Sequence, residues 1–157
     1  MGLDPEGRPP PHGEAREGLA LYPAALGLEL GVQLGQAVAQ VAQELNLTLL
    51  TFGSSDLTHY GPNYGWAPNG SGAAAVKWVK EVNDKQYVDR ALQMDAPGVL
   101  QAAASDQSSC SAGATAAAIS ATRTMGARKA TLVDYYTSYD IRPDNSFVGY
   151  AGIVFGG

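Results

Sequence analysis

Hydrophobic positions follow two different repeats in the first third of the chain. Over residues 31–45, apolar residues recur every three or four positions, which predicts an amphipathic helix. Residues 47–52 form a continuous apolar and β-branched run, which predicts a central buried strand. A shorter run at residues 19–22, ending at Pro23, predicts another strand. This strand, helix, strand order predicts parallel pairing with a right-handed crossover.

Helical and strand patterns also alternate in the second half of the chain. Helical patterns occur at residues 73–82, from residue 84 onward, at 95–104 and at 116–125. Asp95 and Pro97 have the spacing of a helix cap and a first-turn proline, and Gly126 marks a helix end. Two β-rich segments follow, at residues 129–135 and 146–155. The sequence therefore predicts an α/β fold with a central mixed, largely parallel sheet flanked by helices.

Residues 1–18 differ in composition from the rest of the chain. They are rich in proline and glycine and show no apolar periodicity, so they cannot bury enough surface to offset the entropy of ordering. We expect a disordered arm here, with His12 in solvent, and one domain over residues 19–157.

Composition narrows the class of protein. The 157 residues are 45% hydrophobic and 16% charged, with a net charge of -5, and no basic stripe is present, which argues against a nucleic-acid partner. One cysteine cannot form an internal disulfide, which favours a reducing compartment. No secretory leader pattern and no apolar run of about 20 residues is visible, so we expect a cytoplasmic protein without a membrane partner.

Asp56 and His59 follow the predicted strand at residues 47–52. Open α/β sheets place their chemistry at the carboxyl ends of strands. Histidine carries protons and binds metals, and a neighbouring carboxylate orients its ring. The alternative is that Asp56 caps a helical turn and His59 lies on its surface.

Cys110 lies just before the small-residue helix predicted at residues 116–125. The amino terminus of a helix favours a thiolate, which would make Cys110 reactive or able to bind a metal. The alternative is a small buried apolar side chain among alanines.

A loop of glycine, proline and asparagine at residues 61–72 contains Tyr64 and Trp66. These aromatic side chains either form a lid or wall over the site, or attach the loop to the core.

Three ordered motifs resemble the Memo-like family, in particular the proteins called AmmeMemoRadiSam system protein B. They are Ser54-Ser55-Asp56-Leu57-Thr58-His59-Tyr60, Cys110 before the small-residue helix, and the tail at residues 136–140 and 146–155. The resemblance covers residues 19–155, and this part of the chain is similar to the carboxyl-terminal half of the family's domain. It implies the fold of class III extradiol dioxygenases of the LigB type.

The resemblance also implies a metal-type pocket. His59 would be a pocket histidine, Asp56 its neighbouring carboxylate and Cys110 the pocket cysteine, and a copper or iron ion would be bound by His59 and Cys110. The implied function is that of a metal-dependent redox protein with Asp56, His59 and Cys110 in catalytic roles. An alternative from another class is a non-catalytic module that binds a peptide or a small anion, since animal members of the family engage phosphotyrosine peptides.

The sequence departs from the family pattern in two places. The amino-terminal half that supplies two further pocket histidines has no counterpart before Leu19, and Cys110 lies in Ser-Cys-Ser-Ala-Gly rather than in a Cys-Gly-Pro-Gly type of sequence. We therefore expect weak metal binding by this chain alone. A missing amino-terminal half or another chain would complete the pocket. A fragment that is inactive on its own is the remaining alternative.

Overall fold

The longest element of the protein is an amino-terminal helix. The computed structural model describes residues 21–157, with side chains from Leu30 onward. Helix α1 (Leu21–Glu44) confirms the predicted helix and begins earlier than the apolar repeat. The strand predicted at residues 19–22 is wrong for Leu21 and Tyr22, because Pro23 lies in the first helical turn, where a missing N–H costs no helical bond. The arm predicted at residues 1–18, with His12, lies outside the described residues.

Four further helices confirm the patterns of the second half. A helical stretch comprises α2 (Ala73–Trp78), a π-helical turn (Val79–Asn83) and α3 (Asp84–Leu92). It is followed by α4 (Ala96–Asp106) and α5 (Ala112–Thr124). The predicted cap of α4 is present, because the Asp95 side chain accepts a hydrogen bond from the Gly98 backbone N–H at 3.0 Å.

The sheet differs from the predicted one. It contains β1 (His59–Tyr60), β2 (Lys129–Thr137) and β3 (Phe147–Gly156), in the order β1-β3-β2, and both pairings are antiparallel. The mixed α/β class is confirmed, whereas no parallel pair occurs within residues 21–157. The short connection from β2 to β3, which contains helix α6 (Ser138–Ile141), favours antiparallel pairing because parallel strands need a longer crossover.

Residues 47–52 do not form the central buried strand that their apolar run predicts. The side chains of Leu47, Leu50 and Phe52 are 57%, 76% and 89% exposed. The prediction was wrong because an apolar run indicates a need for burial but does not supply a neighbour, and no strand of the described part of the chain pairs with this segment.

Helix α5 is packed between α1 and the core. Gly31 and Gly35 let α1 approach closely, since a Cβ atom at Gly35 would lie 2.2 Å from the Ala117 carbonyl oxygen. On its other side, α5 joins the main core, which includes Leu57, Tyr87, Val99 and Ile119. A smaller aromatic cluster surrounds the fully buried Tyr60 and includes Val76, Val79, Phe147, Trp66 and Trp78. None of the helices within residues 21–157 has the length and apolar character to cross a membrane.

Candidate metal centre

The segment that carries Asp56 and His59 is attached to the start of β3. The Leu57 N–H donates to the Gly149 carbonyl, and the Gly149 N–H donates to the Thr58 carbonyl, each at 3.0 Å. His59 then enters β1 and pairs with Val148. The sheet therefore fixes the backbone on both sides of Thr58, and the direction of the His59 side chain follows from this attachment.

A buried polar network holds Thr58. The Thr58 backbone N–H donates to Asp84 Oδ1 at 3.1 Å, and the Thr58 hydroxyl donates to the same oxygen. The Tyr135 hydroxyl donates to Asp84 Oδ2 at 2.8 Å, and the Asn83 amide donates to the Thr58 hydroxyl at 2.9 Å. Burial raises the pKa of Asp84, and the hydrogen bonds from Thr58 and Tyr135 oppose that rise.

His59 faces an open cleft rather than the core. Its Nε2 atom lies 3.2 Å from Asp56 Oδ2, and the two side chains are 35% and 47% exposed. The Tyr64 ring lies against the imidazole, with ring centroids 4.9 Å apart. Asp56 is therefore placed to orient the His59 ring, in the way that carboxylates orient metal-binding histidines.

Cys110 is brought to this segment by backbone and hydroxyl contacts. Its N–H donates to the Asp56 carbonyl at 3.2 Å. The Ser55 hydroxyl accepts a hydrogen bond from the Ser111 N–H at 3.1 Å and lies 2.7 Å from the Ser109 hydroxyl. Cys110 is exposed and lies two residues before α5, so the interpretation as a buried apolar side chain is wrong.

The three predicted site residues form one cluster. One ligand atom from each of Asp56, His59 and Cys110 lies within 4.8 Å of the other two. An imidazole nitrogen, a thiolate sulfur and a carboxylate oxygen are a donor set suited to transition metals such as copper, iron or zinc. The residues present therefore fit a metal ion, while their role as ligands stays a prediction.

The cleft over His59 has a volume of about 330 Å³ and is lined by His59, Cys110, Tyr64, Trp66 and neighbouring residues. Trp66 also packs against Tyr60 and Trp78, at ring-centroid distances of 5.7 and 5.9 Å. Tyr64 therefore forms a wall of the cleft, whereas Trp66 fits both interpretations of the loop, since it forms a wall and also attaches the loop to the core.

Sequence reasoning missed the residues that support the cluster. Ser55 lies inside the quoted motif, but its hydroxyl bridges to a segment more than fifty residues away, which no local pattern signals. In the sequence, Asp84 looks like an ordinary acidic residue in the first turn of a helix. Gln107 lines the cleft, and its φ of 49° at the end of α4 became visible only in the structure.

Comparison with known proteins agrees with these motifs. The family model described as "Memo-like protein" matches residues 24–154. The chain belongs to the Memo family. It is 32% identical over 147 residues to a MEMO1 family protein of Thermococcus onnurineus, which covers 90% of this chain and 50% of that protein. It is 34% identical over 140 residues to a MEMO1 family protein of Pyrococcus abyssi, covering 85% of this chain and 48% of that protein.

A third Memo relative shows the same partial overlap. The MEMO1 family protein of Methanocaldococcus jannaschii is 34% identical over 127 residues, which cover 80% of this chain and 40% of that protein. The chain therefore spans about half the length of the curated Memo relatives that it matches.

Proposed function

We propose that the Asp56, His59 and Cys110 cluster binds one copper or iron ion and that this Memo-like protein acts in metal-dependent redox chemistry. The observation that carries the proposal is that one ligand atom from each of the three residues lies within 4.8 Å of the other two, although Cys110 is more than fifty residues from Asp56 and His59 in sequence. Such an ion would supply one-electron chemistry when bound.

The residues around the cluster have distinct roles in this proposal. His59 and Cys110 hold the ion. Asp56 orients the imidazole through Nε2, which leaves Nδ1 as the metal-binding nitrogen, or it becomes a third ligand if the ion takes Nε2. Tyr64 lies against the His59 ring and limits access of water from that side.

Anaerobic titration of the full chain with Cu(I), Fe(II) and Zn(II) tests the proposal. We expect one weakly bound ion, because three protein donors at an exposed site leave at least one coordination position to water. Binding should be lost in His59→Ala and in Cys110→Ala. His12→Ala is the matched control, since the chain has two histidines, and it should bind like the unchanged protein. Binding that survives both site substitutions would refute the proposal.

A second function is supported by the cleft itself. The cleft of about 330 Å³ has aromatic walls, Tyr64 and Trp66, beside Cys110 at the amino end of α5. The Ser111 side chain does not cap that helix, so no side-chain cap competes with an anionic group at its amino end, although the Ala114 N–H already donates to the Ser111 carbonyl at 3.0 Å. A non-catalytic module that binds a peptide or small anion would use these features. Metal-free protein that binds phosphotyrosine, with loss of binding in Trp66→Ala, would favour this function.

A further inference from the structure

One face of helix α1 carries large apolar side chains that are exposed. They recur every three or four residues, and each is 41% to 62% exposed: Leu30, Leu34, Val38, Val41 and, one residue past the end of α1, Leu45. The adjacent face, with Gly31 and Gly35, packs on α5. A contiguous apolar surface of this kind marks an interaction site more often than a free surface.

The segment at residues 47–52, which follows α1 in the chain, also exposes large apolar side chains. Leu50 and Phe52 are 76% and 89% exposed. Within the described part of the chain, residues 48–55 form no backbone–backbone hydrogen bond. Backbone N–H and C=O groups form hydrogen bonds when they are buried. This segment has the apolar composition of a buried strand but lacks a neighbouring strand to bond with.

A gap separates this segment from β3. From Gly149 to Gly156, β3 pairs with β2 along one edge. Along its other edge, β1 reaches only Phe147 and Val148, so no strand within residues 21–157 covers the edge at residues 151–155. A cavity of about 160 Å³ lies between this edge and residues 51–53.

The floor of the gap is formed by helices. Tyr87 of α3 and Thr115 and Ala118 of α5 line it, and the walls include Thr51, Gly53, Ile153 and Phe155. The Thr51 hydroxyl is buried without a hydrogen-bond partner in the described residues. The gap thus has the edge of β3 on one side, residues 51–53 on the other and helices below, and a strand that packs on helices has such an environment.

We propose that this gap receives one β-strand from the other half of a Memo-like domain, and that the exposed face of α1 is covered by the same half. The matched part of the chain spans about half of each relative, so the family's domain contains a comparable number of residues outside it. An inserted strand would make residues 47–52 the buried strand that their sequence pattern predicts.

A strand can enter the gap only if the segment at residues 48–52 moves away from β3, since the cavity of about 160 Å³ is smaller than a strand. Two strands that flank a third lie about 9–10 Å apart, twice the usual strand spacing. Residues 48–52 can move outward because they have no described backbone hydrogen bonds to break, whereas Ser55 stays held by its contacts with Ser109 and Ser111. The main-chain bonds of strand addition would then provide affinity, and the apolar surfaces of Leu50 and Phe52 would be covered.

Co-expression of the full chain with the unmatched half of an archaeal relative tests this proposal. The two halves of each of the three relatives described above are first co-expressed, and a relative whose halves reassemble provides the half for the test. All measurements use metal-free protein, so their result is independent of whether the Asp56, His59 and Cys110 cluster binds an ion. We expect a one-to-one complex in which backbone amide exchange at residues 48–53 and 151–155 is slowed by at least about tenfold.

Two matched variants locate the interface. Leu50→Asp should weaken the complex at least about tenfold, because it places a charge in the covered surface. Ile141→Asp, at a side chain that is also 76% exposed but lies in α6, should leave affinity unchanged. Absence of a complex, absence of protection at the two segments, equal effects of both variants, or a self-dimer that Leu50→Asp dissociates would each overturn the proposal.

Discussion

Thr58 donates two hydrogen bonds to the same carboxylate oxygen of Asp84, one from its backbone N–H and one from its hydroxyl. Thr58 directly precedes His59 in β1, and Asp84 is the first residue of α3. The buried carboxylate therefore connects the helix layer to the strand that presents His59. Its two oxygens also join β2 to this connection through Tyr135. The orientation of the candidate metal ligand thus depends on a residue that lies outside the cleft.

Replacement of Asp84 by alanine should destabilise the protein by about 3 kcal/mol, because the buried donors of Thr58 and Tyr135 lose their acceptor. Asp84→Asn should cost less, since its amide oxygen still accepts from the Thr58 N–H. Urea unfolding measures both. Asp89→Ala is the control in the same helix, because Asp89 makes an exposed ion pair with Lys85 and its loss should cost less than about 0.5 kcal/mol. Equal losses for Asp84→Ala and Asp89→Ala would contradict this account.

Asp84 should also make stability depend on pH. Burial raises the pKa of Asp84 in the folded protein above its usual value of 3.8. At pH values between 3.8 and the folded-state pKa, the folded protein therefore binds more protons at this site than the unfolded chain does. The Asp84 contribution to the free energy of unfolding is therefore complete below pH 3.8 and is lost as pH rises through the folded pKa.

Unfolding experiments across this pH range, on the unchanged protein and on Asp84→Asn, isolate that contribution. As pH rises, the unfolding free energy of the unchanged protein should fall relative to that of Asp84→Asn. A difference that shifts in favour of the unchanged protein would show that the hydrogen bonds from Thr58 and Tyr135 outweigh burial.

The close packing of α1 on α5 yields a third prediction. Gly35→Ala should destabilise the protein by about 1–3 kcal/mol, because its Cβ atom would lie 2.2 Å from the Ala117 carbonyl oxygen and the helices would have to separate. Gly113→Ala is the matched control in α5, where a Cβ atom meets nothing within 4 Å. It should be neutral or stabilise the helix by up to about 1 kcal/mol. Thermal unfolding that ranks the two variants in the opposite order would refute the close approach.

The sequence pattern located most helices and both strands of the β2–β3 pair because their apolar periods are local properties. The cap of α4 could be predicted for the same reason, since Asp95 acts on a residue three positions away. The pairing of the strands could not, because pairing depends on the connections between strands and on their neighbours. Residues 47–52 show this: their composition is that of a buried strand, yet Phe52 is 89% exposed in the described structure.

The residues of the candidate site also fall into those that the sequence could predict and those that it could not. Asp56, His59 and Cys110 could be selected because their residue types and their positions after or before predicted elements suggest metal chemistry. The structure adds that they lie together. Asp84 and Ser55 could not be selected, because each acts through a contact with a distant segment and neither residue type is unusual at its position.

Ser55 provides the last prediction, because its hydroxyl holds the segment of Cys110 against the segment of Asp56. Ser55→Ala removes the acceptor of the Ser111 N–H and the contact with the Ser109 hydroxyl. We expect a loss of about 1–2 kcal/mol in unfolding free energy. If Cys110 binds the ion together with His59, metal affinity should also fall by about tenfold, since the thiol would no longer be held near the imidazole.

Ser105→Ala separates this effect from the general loss of a hydroxyl. The Ser105 hydroxyl lies 3.0 Å from the Gln101 carbonyl oxygen and 2.8 Å from Asp106 Oδ2 on the exposed side of α4 and donates its one proton between them, so its removal should cost less than about 0.5 kcal/mol and leave metal affinity unchanged. Urea unfolding and Zn(II) titration of both variants provide the comparison. Ser55→Ala protein that loses stability but binds Zn(II) like the Ser105→Ala protein would show that Cys110 does not need this bridge to reach His59. In that case the hydrogen bond from the Cys110 N–H to the Asp56 carbonyl would be sufficient to hold the two segments together at the site.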